Sequence, residues 1–321
     1  MKPFVENATV DVVIPVYKPG EEFLKLIWML EKQTVVPEKI ILMITESESA
    51  VYPDLSGFDN IEMHFVSENE FDHGKTRNEG VSYALSEYVL LLTQDALPAD
   101  THFVETLLAG FESEESIGAA YARQIPRNDA NPVEKLTRAF NYPDKSEIKT
   151  KSSIPERGIK TYFCSNVACM YDRKIFRSLR GFPENAIFNE DMVFAHKLIS
   201  NGYAIGYNAD AKVIHSHNLT GKEQFRRNFD LGVSQTDFSE IFGSVSSESE
   251  GKKLVKYVTK ELVKTGKIFY VFPFLYQCGM KYLGYRKGKK YRSLSEKTVR
   301  RCSMNKHYWE RYYGTDQRGK M

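Results

Sequence analysis

Two stretches, Val10–Val16 (VDVVIPV) and Tyr88–Asp95 (YVLLLTQD), decide the fold of this 321-residue chain. Each is a short apolar run that gives way abruptly to polar residues, the mark of a strand buried on both faces of a parallel sheet. Between them, Gly20–Gln33 sets Phe23, Leu24, Ile27, Trp28 and Leu30 at helical spacing, Lys39–Ile44 (KIILMI) reads as a second buried strand and Ile61–Val66 as a third. Asp72–Glu79 (DHGKTRNE) is polar and leads into a helix ending near Ser86. Alternating strands and helices predict an α/β fold with a Rossmann-like, mostly parallel sheet flanked by helices and right-handed crossovers. Ligands of such sheets bind at the carboxyl ends of the strands. The polar residues after strands one, two and four all fall there.

From Arg123 to Lys160 the periodicity fades among prolines, asparagines and aspartates, which predicts a long loop that orders when a ligand arrives. Regularity returns at Tyr162–Tyr171. Asn189–Asn201 reads as a helix opening on acids, Lys212–Ile214 as a short strand followed by His215-Ser216-His217, and Gly221–Val233 as a helix. The Ser/Glu-rich Gly243–Gly251 reads as a linker. The expected division is a catalytic domain at 1–242, a linker at 243–251 and a C-terminal helical, aromatic and basic extension at 252–321.

With 42% hydrophobic and 27% charged residues, the chain is no disordered polymer. Its net charge of +2 conceals an asymmetry: nine Lys or Arg stand against one Glu between Lys281 and Arg301. An aromatic run from Phe269 to Tyr276 precedes this basic stretch, and no apolar segment is long enough to span a bilayer. Aromatic plus basic suits an anionic membrane surface visited by 252–301; a packed helical hairpin with a solvated charged face is the alternative. No recognition motif for nucleic acid accompanies the charge. Four cysteines in a chain this long make no disulfide framework, which fits a reducing compartment, and Met1-Lys2-Pro3 opens no secretory leader.

Several residues are able to carry chemistry, and each has a plainer reading beside it. Asp95 faces the ligand edge and is able to bridge a divalent cation to a diphosphate, or is a turn residue before the helix that Pro98 and Asp100 begin. Glu190 and Asp191 are a candidate base pair, or dipole partners in a first helical turn. His215 and His217 point to one face of an extended segment, as metal or phosphate ligands or as packed imidazoles. Gly74, Lys75, Arg77 and Asn78 lie where backbone N–H groups and cations are able to cradle phosphate. Arg226 and Arg227 are cations for a diphosphate, or a solvated face. The glycine patterns of P-loops and dinucleotide folds, the nucleophile elbow and the H-E-x-x-H motif are absent.

Taken in order, Pro15-Val16-Tyr17, Glu46, His73-Gly74-x-x-Arg77-Asn78, Asp95, Glu190-Asp191 and His215 resemble glycosyltransferase family 2 over roughly residues 8 to 240. LLTQDALP (Leu91–Pro98), NEDMVFAHKLISNGY (Asn189–Tyr203) and KVIHSHNLT (Lys212–Thr220) are similar to the bacterial rhamnosyltransferases of surface polysaccharide biosynthesis. The resemblance implies a GT-A fold, a nucleotide-sugar donor, dTDP-β-L-rhamnose by its wording, and a divalent metal, Mg²⁺ or Mn²⁺. It places Pro15, Val16, Tyr17 and Glu46 along the nucleoside. Arg77, Asn78, Gln94 and Arg227 fall near the base or diphosphate, and Asp95 on the metal with His215 or His217. Asp191, with Glu190 beside it, takes the place of the general base. Glu46 replaces the family's Asp, and Thr93-Gln94-Asp95 replaces its D-x-D, so that only the last carboxylate remains. The implied reaction is an inverting transfer to a hydroxyl of a glycan, lipid-linked at the inner face of the plasma membrane. The rivals are the same fold with another donor, such as a UDP-hexose, and a catalytically silent binding subunit.

Overall fold

The computed structural model describes residues 8–113, 116–243 and 247–318. Along the chain come β1 (Val10–Val16), α1 (Glu21–Glu31), β2 (Lys39–Thr45), β3 (Ile61–Val66), α2 (His73–Tyr83), β4 (Tyr88–Leu92), β5 (Leu97–Pro98) and α3 (Phe103–Ala109). Next are β6 (Ile117–Ile125), α4 (Pro132–Asn141), β7 (Glu147–Lys149), α5 (Ile154–Arg157), β8 (Ala168–Asp172), α6 (Arg173–Ser178), α7 (Glu190–Ser200) and β9 (Ala204–Ile214). The chain ends in helices: α8 (Gly221–Asp237), α9 (Ser239–Phe242), α10 (Ser247–Lys264), α11 (Val271–Gly288), α12 (Glu296–Cys302) and α13 (Lys306–Arg318). Two compact units result, one of residues 1–127, 142–184 and 191–216, the other of 128–141, 185–190 and 217–321.

The first unit is built on one sheet of order β3-β2-β1-β4-β8-β6-β9-β5, with β7 paired to β9. Strands β3, β2, β1 and β4 are parallel, at the positions the sequence predicts. The other half is mixed: β8 runs antiparallel to β4 and β6, β6 and β9 are parallel, and β5 and β7 run against β9. Alternate residues Val10, Val12, Ile14 and Val16 join Ile40, Leu42, Leu90 and Leu92 in a core shared with Phe23, Leu26 and Ile27 of α1 and Phe103 and Leu107 of α3. On the opposite face α2 lies flush against the sheet. A Cβ at Gly80 would come within 2.4 Å of Val13 Cγ1, so only glycine admits that approach. The buried carboxylate of Asp11 accepts the N–H groups of Leu85 (2.6 Å) and Ser86 (2.9 Å), joining the start of β1 to the turn that feeds β4.

The segment 123–160 is more ordered than its sequence suggests. It holds the end of β6, the ten-residue α4, β7 and α5. Pro132, with its φ preset for a first helical turn, opens α4. Val133 and Leu136 then pack against Val258, Leu262 and Phe274 within the second unit. Strand β9 is also longer than expected, because Gly206, Asn208 and Asp210 interrupt its apolar alternation and the β6/β9 register shifts between Ala122 and Arg123. Of the Ser/Glu-rich segment read as a linker, residues 247–251 begin α10, while 244–246 lie outside the described residues.

The second unit is helical, and α8 and α11 cross backbone to backbone. A Cβ on Gly284 or Gly288 would fall 2.1 Å from the carbonyl oxygens of Phe225 and Phe229, and one on Gly232 2.4 Å from that of Tyr285. Phe229, Val233, Tyr291, Val299 and Trp309 fill the core beside this crossing. No described helix is long and apolar enough to cross a membrane. Asp230 is buried in α8; one of its oxygens accepts the Met304 N–H at 2.8 Å, and the other has no hydrogen-bond partner among the described residues. Burial pushes its pKa up to about 7. A carboxyl group that titrates higher in the folded than in the unfolded chain favours the fold while protonated. That contribution is full below the ordinary carboxylate pKa and is lost as pH rises through about 7. The melting temperature of this unit is therefore expected to fall over that interval, and Asp230→Asn to flatten the slope, as read by circular dichroism across pH.

Candidate active site

Because β1, β2 and β4 are parallel, their exits Tyr17, Glu46 and Thr93-Gln94-Asp95 share one edge of the sheet. The side chain of Gln94 joins two of these exits. Its Oε1 accepts the Tyr17 N–H at 2.8 Å and its Nε2 donates to the Tyr17 carbonyl at 2.9 Å. Gln94 thus clamps the main chain of the β1 exit, a task an aspartate at this position cannot perform because a carboxylate only accepts. The Tyr17 hydroxyl donates to Glu68 at 2.7 Å. Beside it, Glu46, Tyr52, Phe65 and Glu68 line an open cleft of about 690 Å³ at the ends of β2 and β3. Pro15 and Val16 are the last residues of β1, and Val16 is buried in the core.

Strand β5 brings Asp95 to the histidines. Leu97 pairs with Ile214 in antiparallel register, so the chain leading into β5 runs beside the chain leaving β9. His215 Nε2 stands 3.5 Å from Asp95 Oδ2, and His215 Nδ1 is 3.0 Å from Gln124 Oε1. Gln124 is itself buried, its Nε2 donating to the Tyr142 hydroxyl (2.6 Å) and to Ser165 Oγ (2.9 Å). An amide oxygen accepts and never donates, so Nδ1 carries a proton and Nε2 is the ring atom turned to the carboxylate. Ligand atoms of Asp95, His215 and exposed His217 lie within 4.8 Å of one another. One carboxylate and two imidazoles, one of them oriented by an outer-shell amide, are a donor set that suits a divalent cation.

A second carboxylate is held nearby in the first unit. Asp191 Oδ1 accepts the Met192 N–H at 2.7 Å, and its Oδ2 accepts the Asn166 N–H at 3.3 Å. Asn166 is fixed in turn by the Tyr171 hydroxyl, which donates to its Oδ1 at 2.7 Å. The next residue, Val167, accepts the Thr93 N–H at 3.1 Å. Two successive residues therefore tie the loop carrying Asp95 to the one carrying Asp191. Asn189 turns the chain into α7 with φ of +63°, a left-handed conformation asparagine tolerates better than most residues, and Glu190 is buried at the helix start.

Other expected ligands have structural tasks. The phosphate cradle at Gly74 does not form, because the Asp72 carboxylate already accepts the N–H groups of Gly74 and Lys75 as the cap of α2. Asn78 spends both ends of its amide on the main chain of Phe182, at 2.9 Å each. Gly74 lies so close to Pro183 that a Cβ would fall 2.0 Å from its carbonyl oxygen. The H-G-x-x-R-N stretch is thus a dock for residues 181–183. Arg77 is buried and donates to the His73 carbonyl at 3.1 Å. Arg227 belongs to the second unit, its guanidinium 5.0 Å above the Phe188 ring. Gln124, Tyr142 and Ser165, which orient His215, carry no motif. Their one trace is a buried glutamine beside Arg123 near the end of β6.

Comparison with known proteins gives concordant results. The sequence model of Glycosyl transferase family 2 matches residues 11–180. The O-antigen chain rhamnosyltransferase RfbN of Salmonella typhimurium is 38% identical over 94% of this chain and 96% of its own. WbaN of Salmonella anatum, of the same description, is 36% identical over 93% and 95%. Among solved structures, the mannosyltransferase PcManGT of Pyrobaculum calidifontis, in complex with GDP-Man and Mn²⁺, superimposes with a TM-score of 0.57 at 15% identity, over 88% of this chain and 86% of its own. TarS residues 1–349 of S. aureus, in complex with UDP, gives 0.51 at 16% identity over 89% and 91%. These likenesses, with the family match over more than half of the chain, bear out the expected GT-A fold, and the chain belongs to glycosyltransferase family 2.

Proposed function

We propose that this glycosyltransferase transfers L-rhamnose from dTDP-β-L-rhamnose, with inversion, to a hydroxyl of a growing O-polysaccharide. The observation that carries the sugar is the likeness to two O-antigen chain rhamnosyltransferases along nearly their whole length. The acceptor is read as lipid-linked, which puts the enzyme at the inner face of the plasma membrane as a peripheral protein. Catalysis is assigned to residues 1–242, since every candidate side chain falls there.

In this reading the nucleoside lies along Pro15, Val16 and Tyr17, with its base in the cleft beside Glu46 and its diphosphate toward Asp95. Asp95, His215 and His217 would hold the divalent cation, and the imidazoles in the set favour Mn²⁺ over Mg²⁺. When bound, the cation neutralises charge on the departing nucleoside diphosphate. Asp191 takes the proton of the acceptor hydroxyl as that oxygen attacks the anomeric carbon from the face opposite the diphosphate, so a β-linked donor yields an α-L-rhamnoside. One carboxylate suffices for proton transfer, because the diphosphate leaves without a proton, unlike the alcohol expelled in glycoside hydrolysis. Asn166 and the Met192 N–H hold Asp191 in place for that step. Retention of Asp95, Asp191 and an oriented His215 speaks against a silent binding subunit, and Gln94 acts as a clamp in place of a missing metal ligand.

Two measurements test the assignments. Asp191→Asn is expected to lower kcat by about 10²- to 10⁴-fold while the donor Kd, from calorimetry, stays nearly unchanged, because a base acts in the transition state. Retention of most activity would remove Asp191 from its role. Gln124→Leu is expected to weaken Mn²⁺ binding by about 10- to 100-fold, read by electron paramagnetic resonance in the presence of dTDP, as follows from releasing the ring it orients.

A further inference from the structure

Much of the outer face of α11 is exposed. Its inner face, with Phe274, Gly284 and Gly288 buried, packs inside the second unit. On the other side Phe272, Leu275, Tyr282 and Leu283 recur at helical spacing and are exposed, Phe272 at 82% and Leu283 at 57%. The turn that feeds this helix continues the stripe. Gly266 ends α10 with φ of +71°, and the Lys267 N–H returns to the Leu262 carbonyl at 2.8 Å while the Gly266 N–H bonds that of Val263. This rigid cap presents Ile268 and Phe269, the latter 93% exposed. An apolar cleft of about 550 Å³ opens beside Phe269, lined by Val133, Tyr270, Pro273 and Phe274.

Along the chain from Leu262 to Ser295 the charge has one sign. Residues 262–295 contain no Asp or Glu and eight Lys or Arg, among them Lys264 and Lys267 at the turn and Arg286, Lys287, Lys289 and Lys290 at the far end of the helix. A second copy of this chain would bring two such surfaces together against their repulsion. An anionic surface with an apolar interior satisfies both the stripe and its charge.

We propose that the α10–α11 turn and the outer face of α11 form a membrane-docking surface. Phe269 and Phe272 enter the acyl boundary of an anionic bilayer, α11 lies in the plane of the interface, and Lys264 and Lys267 contact the headgroups. The inference deepens the proposed location and rests on it. Sedimentation of the full chain with vesicles of phosphatidylglycerol and phosphatidylcholine, against phosphatidylcholine alone, tests it, beside a melting curve and transfer to a water-soluble acceptor fragment. Wild type is expected to bind the anionic vesicles and to detach as salt is raised. F269S/F272S is expected to lose about tenfold or more of that affinity, and K264Q/K267Q to lose it chiefly at low salt, both with unchanged melting and unchanged transfer. Equal binding by all three proteins, no vesicle binding by wild type, or a wild-type dimer that F269S/F272S dissociates would overturn the docking surface. Absence of rhamnosyl transfer in a wild type that binds vesicles would instead count against the proposed donor and leave the surface standing.

Discussion

A carboxylate oxygen of Asp95 faces a ring nitrogen of His215 at 3.5 Å, while the amide oxygen of Gln124 holds the other nitrogen. A carboxylate oxygen and an imidazole nitrogen at that separation are placed to share one bound cation. The sheet enforces the encounter. The two-residue β5 is held in register on β9, Gln94 anchors the same loop to the β1 exit, and Thr93 ties it to Val167. None of these ties has a stake in the chemistry except through where it leaves Asp95. A site assembled in this way is preorganised: the fold fixes the carboxylate and the imidazole before any ligand arrives.

The parallel half of the sheet was legible because its strands are unbroken apolar runs whose lengths leave no room for helices. Val10–Val16 and Tyr88–Leu92 needed only their composition, and the polar residues after them marked the ligand edge. The meeting of Asp95 with His215 was legible through their order along the chain. The rest was hidden for identifiable reasons. Strand β5 has two residues and no periodicity, yet its pairing sets the Asp95–His215 distance. The first part of β9 carries glycine, asparagine and aspartate because it bulges against β6. Helix α4 is short, and its partly buried Val133 and Leu136 pack on partners more than a hundred residues away.

Residue type did not show the tasks that geometry assigns. Gln94, Asn78 and the amide of Gly74 have the chemistry to contact a nucleotide, and each makes a hydrogen bond that closes a loop or caps a helix. Polar side chains that close loops and those that bind ligands obey the same rule, that buried donors and acceptors find partners, so sequence alone does not separate them. The glycines of the basic extension make the converse point. Gly284 and Gly288 let α11 sink onto α8, which gives the helical, aromatic and basic extension a packed helix with a defined outer face.

The central claim is that donor and cation bind together through the Asp95–His215 pair. Saturation-transfer NMR with dTDP-L-rhamnose and a set of UDP-sugars, with and without Mn²⁺, tests it most directly. The account predicts binding of dTDP-L-rhamnose that requires Mn²⁺ and exceeds that of every UDP-sugar. Binding that ignores the metal, or a preference for a UDP-sugar, would contradict it.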